Sequence, residues 1–152
     1  MLGALVKRLF VLILVLALPS VAGAQVSIPV YGNWCGPDYP VNPAFSAPPI
    51  DAVDAACMRH DYCTAVRGRF DCGCDLALMN ELRYTPWPNP YIQNDARSIS
   101  DAIAVIPCSD PFGTAEKQSL FMQDVWNDTL NGNAAPLNVL DRWRQVLSNS
   151  LR

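Results

Sequence analysis

Apolar and polar positions divide the chain into zones of different period. Leu9 to Leu18 is an unbroken apolar run behind Lys7 and Arg8, about as long as the core of an export signal and too short to span a bilayer. Ala22-Gly23-Ala24 follows as a small-residue cleavage motif. Residues 1–24 therefore read as a signal peptide, and the mature chain as starting at Gln25. Residues 25–50, which contain "YGNWCGPDYPVNPAFSAPP", lack periodicity, are rich in Pro and Gly, and read as an ordered loop. The next stretch, "DAVDAACMRHDYCTAVR" over 51–67, reads as a helix, with Asp51 and Asp54 favouring its N-terminal end and Gly68 stopping it. After the turn "GRFD" a second helix is predicted from about Cys72 to Tyr84, on which Leu78, Leu82 and either Asp75 or Met79 share a face. Pro86, Pro88 and Pro90 then interrupt the chain, and a short hairpin around 84–93 is the one candidate for strand pairing. Amphipathic stretches near 95–105, 115–129 and 137–150 read as helices. The pattern predicts a mainly α domain.

Charge and cysteine content narrow the class. Without Lys7 and Arg8, nine basic residues face fourteen acidic ones, a formal net charge of −5 over residues 25–152. That balance disfavours nucleic acid as a partner and any general attraction to anionic membranes. No later stretch is long and apolar enough to span a bilayer. All six cysteines follow the signal, and an even count in an exported chain favours three disulfides. Zinc is the competing reading; it is weakened by "CGC", which lacks the usual two-residue spacer, and by the presence of a single histidine.

That histidine is the centre of the chemical argument. His60 sits in "AACMRHDYC", and Cys57, His60 and Cys63 are spaced by three on the first predicted helix. Each lags its predecessor by about 60° around the axis, so His60 lies between the two sulfurs in height and angle. Asp61 is four residues after Cys57, one turn up on nearly the same face. Whatever bonds Cys57 is held near Asp61, and whatever bonds Cys63 is held near His60. Taken singly, a histidine is more often a core or surface residue than a base. Asp61 alone reads equally as a solvated helix charge, and Asp75 alone as an N-terminal helix residue favoured by the dipole.

The motif C-M-R-H-D-Y-C resembles the active-site helix of secreted phospholipase A2, C-x-x-H-D-x-C. Upstream, "YGNWCGPD" is similar to that family's calcium loop, and downstream "CGCDLAL" resembles the start of the antiparallel second helix in its bee-venom-like and microbial members. The likeness covers about residues 31–82 and uses five of the six cysteines. It implies a small disulfide-stapled domain with two antiparallel active-site helices, a calcium loop and additional C-terminal helices. It also implies the pairs Cys35–Cys57, Cys63–Cys74 and Cys72–Cys108, out of fifteen possible pairings.

The chemistry that the resemblance implies is calcium-dependent hydrolysis of the sn-2 ester of phospholipids in a membrane or micelle. His60 would be the general base on water, and Asp75 would steady the imidazolium. Ca²⁺ would be held by the backbone carbonyls of Trp34, Gly36 and Asp38 and by the Asp61 carboxylate. At its ordinary pKa His60 would be mostly neutral at pH 7. The alternative is a secreted, non-catalytic binding or toxin-like module on the same scaffold; it is disfavoured because His60 and Asp61 are both present. The chain departs from the family at several places. Asp38 stands where the family usually has Gly, and its carboxylate is an alternative to its carbonyl as ligand. Thr64 replaces a tyrosine that usually supports the second-helix aspartate, with Tyr84 and Tyr91 as candidate substitutes. Trp87, in a Pro-Trp-Pro turn, reads either as an interfacial or as a core residue.

Overall fold

A computed structural model describes residues 27–132 together with 140, 141, 144 and 148. The expected signal peptide lies outside the described residues, as does most of the helix expected over 137–150. Four α-helices follow an irregular N-terminal segment: α1 (Ala52–Arg67), α2 (Cys72–Tyr84), α3 (Pro90–Val105) and α4 (Pro111–Leu130). The segment before α1 contains a single 3₁₀ turn, Pro43–Phe45, and an isolated bridge between Tyr31 and Cys35. Among the described residues no strand forms, and no helix is long and apolar enough to cross a membrane.

Each helix begins on a short polar side chain that accepts the first free backbone N–H groups. Asp51 accepts from Asp54, Asp71 from Cys74, Asn89 from Tyr91 and Ile92, and Asp110 from Gly113. Caps of this kind contribute about 1 kcal/mol each. They also explain where the structure departs from the sequence pattern. The hairpin expected around 84–93 does not form, because Asn89-Pro90 is a cap followed by proline at the first helical position, where proline is well tolerated. Helix α3 therefore starts at Pro90 rather than near 95, and Asp110-Pro111 starts α4 four residues before the expected 115.

Helices α1 and α2 run antiparallel: Cys63 bonds Cys74, His60 meets Asp75, and Arg59 meets Glu81. Their facing sides, Val53, Ala56 and Cys57 against Leu78 and Leu82, form the core with Trp34 and Cys35 from the loop and Ala96 and Ile99 from α3. Asp75, Leu78, Met79 and Leu82 are all buried, so both residues left open for the α2 face belong to it. Trp87, partly buried, packs against this core and donates its indole N–H to the Leu82 carbonyl at 2.9 Å. Helix α4 docks through charge. Arg83 of α2 makes a two-pronged contact with Asp124 at 2.6 and 2.8 Å, and Arg97 of α3 reaches Asp128 at 3.0 Å.

The loop is tied to α1 by Asp54, whose side chain has no solvent exposure. Its carboxylate accepts the N–H groups of Asn33 and Trp34, both at 2.8 Å, and of Ile50 at 3.0 Å. Gly32, at φ +57°, passes so close that a Cβ there would sit 2.3 Å from the Asp54 carboxyl carbon. Replacing Asp54 by Asn keeps one acceptor oxygen but turns the other into an NH2 donor that faces backbone N–H. Chemical denaturation of Asp54→Asn, with disulfides intact, is expected to show a loss of about 3 kcal/mol; an unchanged midpoint would remove Asp54 as the loop's anchor.

Candidate active site

Three disulfides set the geometry: Cys35–Cys57, Cys63–Cys74 and Cys72–Cys108. No cysteine is left free, so no thiolate remains for zinc. The first bridge joins the loop to α1 one turn below Asp61. The second joins the start of α2 to the turn after His60, and the third joins α2 to the connection between α3 and α4.

Between these bridges lies a cavity of about 550 Å³. Trp34, Gly36 and Asp38 line it from the loop, His60 and Asp61 from α1, and Asp75 from α2. Its remaining wall is largely apolar, with Pro37, Tyr39, Leu78, Ile99, Ile103 and Ile106. The structure thus brings every site residue singled out by the sequence to one place.

His60 is largely buried, and its Nε2–H donates to Asp75 Oδ1 at 2.8 Å. That leaves Nδ1 as the nitrogen able to exchange a proton. It lies 3.8 Å from Asp61 Oδ1, too far for a hydrogen bond but close enough for a strong charge interaction. Burial of the ring opposes its positive charge, yet the carboxylates of Asp61 and Asp75 outweigh burial and raise the imidazole to about 9. In the metal-free protein the two flanking carboxylates thus favour the protonated ring, whereas an imidazole at its ordinary value is mostly neutral at pH 7.

The two aspartates are in opposite situations. Burial works against the charge of Asp75, but bonds from His60 and from Lys117 overcome it and hold the carboxyl below the usual range. Burial pushes the Asp61 carboxyl up, and His60 only partly counters it. Asp61 Oδ2 is buried without a hydrogen-bond partner. A buried carboxylate oxygen without a donor, beside a loop of backbone carbonyls, suits a hard cation. Among the described residues no three His, Cys, Asp or Glu side chains converge as ligands, so most oxygens would have to come from backbone and solvent. The Gly36 carbonyl already accepts the Tyr39 N–H at 3.2 Å, which leaves it one lone pair. The Asp38 carboxylate is held by Arg69 at 2.9 Å, so the carbonyl rather than the carboxylate is the oxygen that Asp38 has to offer.

Three contributors do not stand out in the sequence. Asp54 reads there as a helix-start charge, although it is an internal anchor. Arg69, in the turn between α1 and α2, is the one Lys or Arg among the described residues that lines the cavity. Lys117 of α4, fully buried, donates to Asp75 Oδ2 at 2.5 Å and to the Ile106 carbonyl at 2.7 Å. It takes the place expected for Tyr84 or Tyr91. Both tyrosines are exposed, and the Tyr84 hydroxyl instead meets its neighbour Arg83. The Thr64 hydroxyl turns back to the Asp61 carbonyl and plays no part at Asp75.

The imidazole gives a pH test. A histidine raised in the folded state stabilises the fold fully below its ordinary value near 6.5, and that contribution is lost as pH rises through about 9. In metal-free protein the loss should approach about 3 kcal/mol. His60→Gln should remove the pH dependence, and NMR titration of the single histidine should locate the midpoint near the raised value. A midpoint at or below 6.5 would contradict the charge arrangement.

No family model matches the chain, and no curated protein and no solved structure gives a significant match.

Proposed function

We propose that the chain is a calcium-dependent, phospholipase A2-like esterase that works outside the reducing cytosol and cleaves the sn-2 ester of phospholipids. The observation that carries this reading is His60. Its Nε2 is bonded to Asp75 at 2.8 Å, and its Nδ1 is beside a carboxylate with an unpartnered oxygen, in one largely apolar cavity. Three disulfides suit an oxidising compartment. The motif likeness to secreted phospholipases supports the substrate class.

In this reading an acyl chain lies along Leu78, Ile99, Ile103 and Ile106, which exclude water from the ester. His60 Nδ1 takes a proton from a water molecule as the water oxygen attacks the carbonyl carbon. The Asp75 carboxylate holds the ring in the productive tautomer and stabilises the imidazolium. The proton then passes from Nδ1 to the departing glycerol oxygen, which releases fatty acid and lysophospholipid and restores the neutral base. The residues that would hold Ca²⁺ are Trp34, Gly36 and Asp38 through their carbonyls and Asp61 through its carboxylate. When bound, the ion supplies positive charge for the oxyanion. Asp61, with its charge taken up by a cation, pulls less on the His60 proton, which returns the imidazole toward the range of a working base.

Fatty-acid release from phospholipid vesicles should require Ca²⁺ and stop with excess chelator. His60→Gln should lower it by about 1,000-fold or more without loss of fold. No release by folded protein in saturating Ca²⁺ would favour the non-catalytic binding module. Asp61→Asn should weaken Ca²⁺ binding by about tenfold or more in calorimetry, because it removes the one side-chain charge facing the ion. In Ca²⁺ the NMR midpoint of His60 should fall below its metal-free value, and activity should be lost as pH drops through it.

A further inference from the structure

Lys117 stands out against its own helix. Only Gly113 and Lys117 are buried along the twenty residues of α4, and Lys117 has no solvent exposure at all. Phe112, Met122, Trp126 and Leu130 of the same helix are exposed, so an apolar side chain was available for an inward position and a cation occupies it instead. Desolvating an ammonium is costly, and a buried ion pair is often no more stable than a well-packed apolar pair of the same volume. Stability alone is a poor reason for this lysine.

Its contacts give a better one. The Asp75 carboxylate has two oxygens and both are taken: Oδ1 by His60 Nε2 at 2.8 Å, Oδ2 by Lys117 Nζ at 2.5 Å. The terminal torsion of an aspartate is broad and roughly two-fold, so a carboxylate held at one oxygen alone can swing. Held at both, it presents one oxygen to the imidazole in one direction. Nζ is itself located by the Ile106 carbonyl at 2.7 Å. The last disulfide sets that whole segment against α2. Cys72, three residues before Asp75, bonds Cys108, and the Cys108 N–H donates to Thr114 Oγ1 at 3.1 Å. Gly113 allows α4 to approach, since a Cβ there would lie 2.6 Å from the Cys72 Cβ and Sγ.

We infer that Lys117 is a positioning residue of the active site: it clamps the second oxygen of Asp75 so that the first is aimed at His60, and the Cys72–Cys108 bridge is the device that delivers it. The inference rests on the hydrolase reading for its kinetic consequence, but its geometric content can be read without any substrate.

The experiment is a double-mutant cycle on the disulfide-intact protein with Lys117→Met, Asp75→Asn and the two combined. Turnover of a monomeric short-chain phospholipid is measured in saturating Ca²⁺, and the Hε2 proton resonance of the single histidine is followed by NMR. Lys117→Met should lower kcat by about 100-fold while KM and Ca²⁺ affinity stay within about twofold, and the Hε2 proton should exchange faster. In the Asp75→Asn background the same substitution should change kcat by no more than about twofold, because the group it acts through is already altered. Losses that multiply independently would make Lys117 a structural residue and overturn the inference, as would unchanged kcat in folded Lys117→Met. If Lys117→Met does not fold, the combined variant buries no lone charge, and its kcat against that of Asp75→Asn alone distinguishes the same two outcomes. If the wild type hydrolyses no phospholipid, the hydrolase reading fails. The NMR arm then decides separately, and an Hε2 exchange rate untouched by Lys117→Met would sink the clamp.

Discussion

Three backbone N–H groups from two parts of one loop converge on the carboxylate of Asp54, which is wholly removed from solvent. That single side chain replaces the secondary structure the loop lacks. Backbone donors buried without partners would each cost on the order of 1–3 kcal/mol. A carboxylate fixed to α1 satisfies three of them and so sets where the loop can lie. The Cys35–Cys57 bridge closes the same junction covalently one turn further along. These two ties hold the loop where Trp34, Gly36 and Asp38 line one cavity with Asp61.

Within the cavity the arrangement of charge is asymmetric in a way that separates the roles of two aspartates. Asp75 receives two donors and is compensated. Asp61 receives none at its inner oxygen and is left with an unmet demand for positive charge. Between them the imidazole is drawn toward its charged form. One carboxylate is satisfied by protein and its neighbour is not; in the proposed reading a cation meets the second demand, and the basicity of His60 is linked to how it is met.

Much of this is legible in the chain. The three-residue spacing of Cys57, His60 and Cys63 and the four-residue step from Cys57 to Asp61 are consequences of helical period, and α1 and α2 end within a residue of where punctuation by Asp, Gly and Pro puts them. The disulfide partners that the motif likeness implies are the ones that form. The stretch around 84–93 misleads because three prolines look like a turn between strands, whereas Asn89 and Pro90 are a cap and a first helical residue. The tyrosine candidates for Asp75 fail because their placement depends on the path of the chain after α2, which no local pattern encodes.

Sequence alone determined the local geometry around the site: the limits of α1 and α2 and the placement of His60 between two sulfurs. These follow from backbone hydrogen bonding and a fixed rise and rotation per residue. Tertiary structure alone decided which charges are inside. Lys117 between Glu116 and Gln118 looks like part of a solvated face, and Asp54 looks like an ordinary helix-start acid. Each becomes an internal anchor only because a distant segment brings it a partner across 42 residues for Lys117 and about 20 for Asp54. The free energy of a buried charge is set by the groups that surround it in space, and that information is not carried by neighbours along the chain.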